Sequence, residues 1–132
     1  MSAQYGTGDA SYLAAGQFEG LVKLVEDFYG FMQKLPQAKH ILEMHNPDLT
    51  VSKDKLARFL SAWTGGPSLF KEKFGPISIP SAHSHLAIGS SERDAWLLCM
   101  EQALALQPYE QDFREYMIKQ LSVPAERCRN RD

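Results

Sequence analysis

Apolar residues in this chain recur at intervals of three and four, a period that suits helices and leaves little room for a sheet. Phe18, Leu21, Val22, Val25, Phe28, Tyr29 and Met32 fall on one helical face. Leu35-Pro36 ends that helix, because the residue before a proline disfavours helical geometry. A short helix is predicted over 37–42, followed by the turn-rich loop Glu43-Met44-His45-Asn46-Pro47-Asp48. The next helix spans about Thr50 to Trp63, with Leu56, Phe59, Leu60 and Trp63 inward. Gly65-Gly66-Pro67 stops it, glycine supplying a left-handed residue and proline blocking continuation. From Pro67 to Ile88, interrupted by Gly75, Pro76 and Pro80, only short helix-compatible pieces remain. A helix then starts after Gly89, with Ser90 or Ser91 as N-cap and Glu92 and Asp94 in its first turn, and runs to about Leu106. Pro108 breaks the chain. The last helix, from about Glu110 to Leu121, carries Phe113, Tyr116, Met117 and Leu121 inward, and the charged tail from Pro124 onward carries no prediction. Ile77-Ser78-Ile79 alternates but is too short to build a sheet, so the expected class is all-α.

The length of 132 residues suits one domain with a single core. With 44% hydrophobic and 23% charged residues, the composition is that of an ordinary globular chain. A formal charge of −2 offers no basic face to nucleic acid. The N-terminal stretch lacks the cationic cluster and apolar run of a secretory signal, and no segment matches a membrane span, so the cytoplasm is the expected compartment. Cys99 reads as a small buried hydrophobe and Cys128 as an exposed tail residue; their spacing suits neither a metal site nor a disulfide framework.

The stretch Ser81-Ala82-His83-Ser84-His85-Leu86-Ala87-Ile88 is followed closely by Glu92-Arg93-Asp94-Ala95-Trp96. Together with Phe28-Tyr29, Phe59-Leu60 and Trp63-Thr64-Gly65-Gly66-Pro67 upstream, it resembles the haem-ligand region of group II truncated haemoglobins. The resemblance runs from about Ala14 to Leu121. It implies a truncated globin, a two-over-two helical sandwich, forming one domain over residues 1–132 with an N-terminal extension (about 1–13) and a polar C-terminal tail (about 124–132). It further implies haem b as cofactor and reversible binding of dioxygen, carbon monoxide, nitric oxide or similar small ligands by a monomer or weak homodimer.

Carried over residue by residue, the resemblance gives His83 as the iron ligand, nine residues before Glu92, and leaves His85 at the surface. A single neutral imidazole is what haem iron takes from a small helical protein. Tyr29, His45 and Trp96 fall over the open iron position, where a phenol, an imidazole and an indole N–H donate to an electron-rich diatomic ligand. Leu56 lines that side and Ser52 stands near its entrance. Lys55 is placed to reach a haem propionate by ammonium–carboxylate attraction. Phe59 and Met100 are placed as pocket walls. Without the resemblance, Tyr29, Trp96, Phe59 and Met100 read equally well as core, and His45 and Lys55 as solvated residues.

Two positions depart from the pattern. His45 stands where tyrosine or phenylalanine is common and adds a group that titrates near neutrality. Phe70 replaces a commoner tyrosine and removes a hydroxyl. The resemblance also implies reactivity toward nitric oxide or reactive oxygen species, as a nitric oxide dioxygenase or peroxidase-like protein, for which turnover requires an unidentified reductant. Two other classes compete: a non-haem metal protein using His83, His85, His40 and His45, and a helical interaction domain with no ligand.

Overall fold

The structure is a computed structural model that describes residues 5–45, 47–76 and 88–130. Its helices are α1 (Ala10–Ala14), α2 (Gln17–Lys34), α3 (Lys39–Glu43), α4 (Thr50–Trp63), α5 (Leu69–Phe74), α6 (Ser90–Ala105) and α7 (Gln111–Cys128), with a 3-10 turn at Pro36–Ala38 before α3. Among the described residues there is no strand; the Ile77-Ser78-Ile79 alternation lies outside them. Helix α2 is central, packing on α4 to one side and on α6 to the other, while α6 packs on α7. Two pairs of helices thus cross as a two-over-two sandwich.

The core forms where the apolar stripes of these helices meet. Leu21, Leu24, Val25, Phe28 and Met32 of α2 lie against Leu60 of α4, Met100 and Leu104 of α6, and Phe113, Met117 and Leu121 of α7 in one cluster. Burial of each such side chain contributes roughly 1.5–3 kcal/mol. The expected inner face of α2 needs one amendment. Val22 is partly exposed, at the edge of the stripe, and Leu24 is fully buried in its stead. Cys99 is fully buried, as expected, and desolvation pushes its thiol up to about 11. Cys128, expected to be exposed, is half-buried as the last helical residue of α7.

The stop after α4 is a complete hydrogen-bonded motif. Gly65 N–H donates to Ala62 O at 3.0 Å and Gly66 N–H to Ser61 O at 2.8 Å, a pairing that caps the last carbonyls of a helix when the first glycine is left-handed. Gly65 indeed has φ 94°. Two buried hydroxyls are satisfied there as well: Thr64 Oγ1 donates to Leu60 O at 2.7 Å and Ser61 Oγ to Pro67 O at 2.8 Å.

The N-terminal segment, undecided from sequence, packs on this corner. Tyr12 N–H donates to Thr64 O at 3.0 Å. The Tyr5 ring lies 5.0 Å from Phe113 and 5.2 Å from Tyr116, and its hydroxyl donates to Asp112 at 3.0 Å. A Cβ at Gly65 would collide with the Gly8 carbonyl, and one at Gly66 with the Tyr12 ring.

The two other differences from expectation lie at helix ends. Helix α6 starts at Ser90 with Gly89 as its N-cap, in place of Ser90 or Ser91. The Glu92 carboxylate accepts from Gly89 N–H at 2.7 Å, so the cap needs no side chain at that residue. Helix α7 passes through Pro124 to Cys128. Proline removes one helical hydrogen bond, and tertiary bonds hold the turn beyond it. Arg93 of α6 pairs with Glu126, and Glu126 also pairs with Arg129 at 2.7 Å.

Gly65→Ala is expected to lower unfolding stability by about 2 kcal/mol or more, combining left-handed strain of roughly 1–2 kcal/mol with the Gly8 collision. Gly30→Ala in α2, where a Cβ meets nothing within 4 Å, should raise stability by about 0.5–1 kcal/mol. Urea denaturation of the two variants checks both signs.

Candidate functional site

A line of four rings crosses the middle of the sandwich. Trp96 of α6 stands 5.1 Å from Phe28 of α2, Phe28 stands 5.0 Å from Tyr29, and Tyr29 stands 5.5 Å from His45. The last two contacts are edge-on, at 83° and 82°, a geometry that suits aromatic quadrupoles. Helical geometry places them so. Phe28 and Tyr29 sit on adjacent edges of the buried stripe of α2, one turned toward α6 and the other toward the corner after α3. The three polar aromatics expected to share a site are therefore brought into one line, with Trp96 joined through Phe28.

Tyr29 is 4% exposed. Burial alone pushes its phenol well above the usual tyrosine range, with no hydrogen bond or charge contributing. A neutral O–H donor thus sits in apolar surroundings. Trp96 is half-buried.

His45 Nδ1 lies 2.8 Å from the Ile41 carbonyl of α3. A carbonyl only accepts, so Nδ1 carries a proton and the neutral ring presents a lone pair at Nε2. That bond changes the chemistry expected of His45. The neutral ring can only accept at Nε2, and only the charged ring donates there.

A cleft of about 390 Å³ opens beside α4, lined by Phe59, Ala62, Trp63, Ser68, Phe70, Lys71, Gly75 and Pro76. Of these, Phe59 is the residue that the resemblance implies as a pocket wall, whereas periodicity places Trp63 only on the inner face of α4. Phe70, where the missing hydroxyl was noted, packs its ring 5.0 Å from Phe74. Leu56, Phe59, Trp63 and Trp96 pack on the core yet stay partly uncovered. Ser52 is half-buried on α4. Met100 is fully buried within the core. The Lys55 ammonium stands 5.4 Å over the Phe74 ring, with Lys73 at 5.3 Å from the same ring. His83 and His85 lie outside the described residues.

The other histidine weighed as a metal ligand is engaged elsewhere. His40 Nδ1 is 2.9 Å from Glu92, whose carboxylate also takes Gly89 N–H and the Ser91 hydroxyl. Among the described residues no three His, Cys, Asp or Glu side chains gather as a metal site. No helix of the described residues is long and apolar enough to cross a membrane.

Helix pairs crossing two over two around a buried tyrosine, a corner histidine and a tryptophan define a truncated globin. The bacterial-like globin family matches residues 11–130, and the chain belongs to that family. It is 33% identical over 117 residues to the Group 2 truncated hemoglobin YjbI of Bacillus subtilis (strain 168), covering 89% of this chain and 86% of that protein. It is also similar to the solved Group II 2-on-2 hemoglobin of the plant pathogen Agrobacterium tumefaciens, with 30% identity, a TM-score of 0.88 and full coverage of both chains. A truncated oxygen-avid haemoglobin from Bacillus subtilis aligns with 32% identity and a TM-score of 0.81, over 91% of this chain and 98% of that one.

Globin membership implies haem, and the residues present fit that group. Leu56, Phe59, Trp63 and Trp96 offer the incompletely covered apolar surface that a flat macrocycle would bury. Lys55 supplies a cation on the same helix as Leu56, Phe59 and Trp63, and Tyr29 a buried phenol donor.

The Glu92 cluster carries a pH prediction. Chiefly the Gly89 N–H, and then His40 and Ser91, hold the Glu92 carboxyl down from 4.5 to about 2. A carboxyl depressed on folding stabilises above its unfolded value and loses that contribution as pH falls toward its folded value. Stability should therefore drop between about pH 4.5 and 2. Glu92→Gln should be less stable by about 1 kcal/mol at neutral pH and show a flatter fall in that acid window, read from denaturation midpoints across pH.

Proposed function

We propose that this protein is a haem-binding globin, taking haem b and reversibly binding dioxygen and other diatomic ligands. The observation that carries the reading is the line from Trp96 through Phe28 and Tyr29 to His45, set in a sandwich of globin family membership. The oxygen avidity named for the similar Bacillus subtilis structure supports it. The group, when bound, supplies the iron that takes up the small ligand. His83 would hold that iron by its imidazole, Lys55 would face a propionate, and Leu56, Phe59 and Met100 would wall the pocket, with Ser52 near the entrance.

The chain's own residues then decide how long a ligand stays. A phenol kept neutral by burial donates without first losing a proton, so Tyr29 is the principal donor, with the Trp96 indole N–H as the second. A hydrogen bond to a charged acceptor contributes roughly 1.5–3 kcal/mol, or about tenfold to a hundredfold in release rate. His45 bears on this through its edge-on contact with Tyr29, which limits how the phenol can turn. A pocket so furnished also suits oxidation of nitric oxide or removal of reactive oxygen species, with electrons from a separate reductant.

Purified apoprotein mixed with haemin should give an intense Soret band that shifts with carbon monoxide after reduction. His83→Ala should lose tight haem binding while His85→Ala keeps it; the reverse pattern moves the ligand to His85. Tyr29→Phe should speed oxygen release by about tenfold or more. His45→Phe should change the oxygen release rate, because it removes the polar ring packed edge-on against Tyr29. Stopped-flow measurements decide both, and an unchanged rate in His45→Phe removes His45 from ligand control.

A further inference from the structure

A surplus of positive charge collects where α5 meets α4. Between residues 54 and 76 stand four cations, Lys55, Arg58, Lys71 and Lys73, against two carboxylates, Asp54 and Glu72, a net of +2 within a chain of net −2. Asp54 is shared by two of the cations, taking Arg58 at 2.8 Å and Lys73 at 2.6 Å. Lys55 and Lys73 both stand over the Phe74 ring, at 5.4 Å and 5.3 Å, within the range at which a ring face attracts an ammonium. Lys71 is exposed and has no ion pair among the described residues. No Asp or Glu occurs in the sequence between Glu72 and Glu92. Phe74 is itself 36% exposed. An open aromatic ring is thus bordered by cations that one shared carboxylate cannot neutralise.

We propose that this face, Phe74 with Lys71, Lys73 and the adjoining Lys55 and Arg58, docks an acidic electron-carrier protein, the separate reductant that the haem-globin reading requires. That the partner is a reductant rests on that reading; that it is an acidic protein does not. Carboxylates of the partner would meet charge that the chain leaves uncompensated, and the Phe74 ring would give the contact an apolar centre. Redox encounters between proteins use small interfaces, which suits a six-residue helix that packs chiefly on α4 and leaves its outer side uncovered. The interleaved carboxylates select the kind of anion. Asp54 and Glu72 repel a uniformly negative membrane surface or phosphate backbone, whereas a protein surface can set its own cations against them.

Flavodoxin, an acidic one-electron carrier, serves as the probe for the holoprotein. Binding of the oxidised form is read from amide shifts of the carbonmonoxy protein, and reduction of the ferric protein by flavodoxin hydroquinone is followed by stopped flow. In the second assay one electron leaves the flavin, which becomes a semiquinone, and makes the iron ferrous. Wild-type shifts should centre on 54–58 and 69–75. Lys71→Glu with Lys73→Glu should weaken binding and slow reduction about tenfold or more at about 10 mM ionic strength, the difference shrinking toward about 150 mM as salt screens the charges. Lys71→Gln with Lys73→Gln, which puts no acid beside Asp54, should fall between. Lys119→Glu with Arg127→Glu makes the same charge change at exposed positions of α7, which packs on α6, and should change either readout less than about twofold. Equal losses in both reversal pairs would mean that net charge alone governs, and would overturn the docking face. Weakened binding with unaltered reduction would overturn the reductant as partner. Tighter binding to phosphatidylserine vesicles than to flavodoxin, lost in the Lys71 and Lys73 variants, would assign the face to a membrane and overturn the proposal. If the protein takes up no haem, the haem reading fails by itself, and the amide shifts with flavodoxin still decide the docking.

Discussion

Phe28 has no exposure and touches the rings on both sides of it, Tyr29 at 5.0 Å and Trp96 at 5.1 Å. That ring is the pivot of the molecule. It belongs to the helix that packs on both α4 and α6, so its position sets the distance between the two helix pairs. It also separates the donor contributed by α2 from the donor contributed by α6. Were it smaller, the two helices would close up or leave a void, and either change would displace Tyr29 and Trp96 together. The core and the line of polar aromatics therefore share one set of packing contacts.

Around that pivot the polar groups are held by bonds that leave each with one task. The Ile41 carbonyl fixes the tautomer of His45, and burial keeps the Tyr29 phenol neutral. Glu92 is drawn down to about 2 by the Gly89 N–H and by His40, and remains an acceptor at any ordinary pH. These are short-range effects of ordinary strength. Their consequence is local: the Tyr29 phenol keeps its proton and stands edge-on to a His45 ring whose Nδ1 is already engaged.

The corners carry as much of the design as the helices. Gly65 and Gly66 end α4 with a left-handed turn whose open side is filled by the Gly8 carbonyl and the Tyr12 ring. The N-terminal segment is thereby built into the same corner that directs the chain toward α5 and the cleft. At the opposite end of that connection, Ile88 and Gly89 are fastened by Asn130 and Glu92. Two anchored points therefore lie on either side of the connection between α5 and α6.

Local rules in the sequence determined a good deal of this. Period and punctuation gave α2, α4 and α6, because apolar spacing, Pro36 and the Gly65-Gly66-Pro67 stop act within a few residues of themselves. The same rules proposed Tyr29, His45 and Trp96 only through a family likeness, since an aromatic on an apolar stripe looks the same whether it is packing or a donor. Tertiary structure decided the rest. It turned Val22 outward and Leu24 inward, since a stripe's edge is set by the partner helix. It carried α7 past Pro124, because Arg93 and Ile88 hold a turn that its own hydrogen bonds leave incomplete. It gave His45 an acceptor's lone pair, because the carbonyl that takes its proton belongs to a helix end whose direction no local pattern encodes.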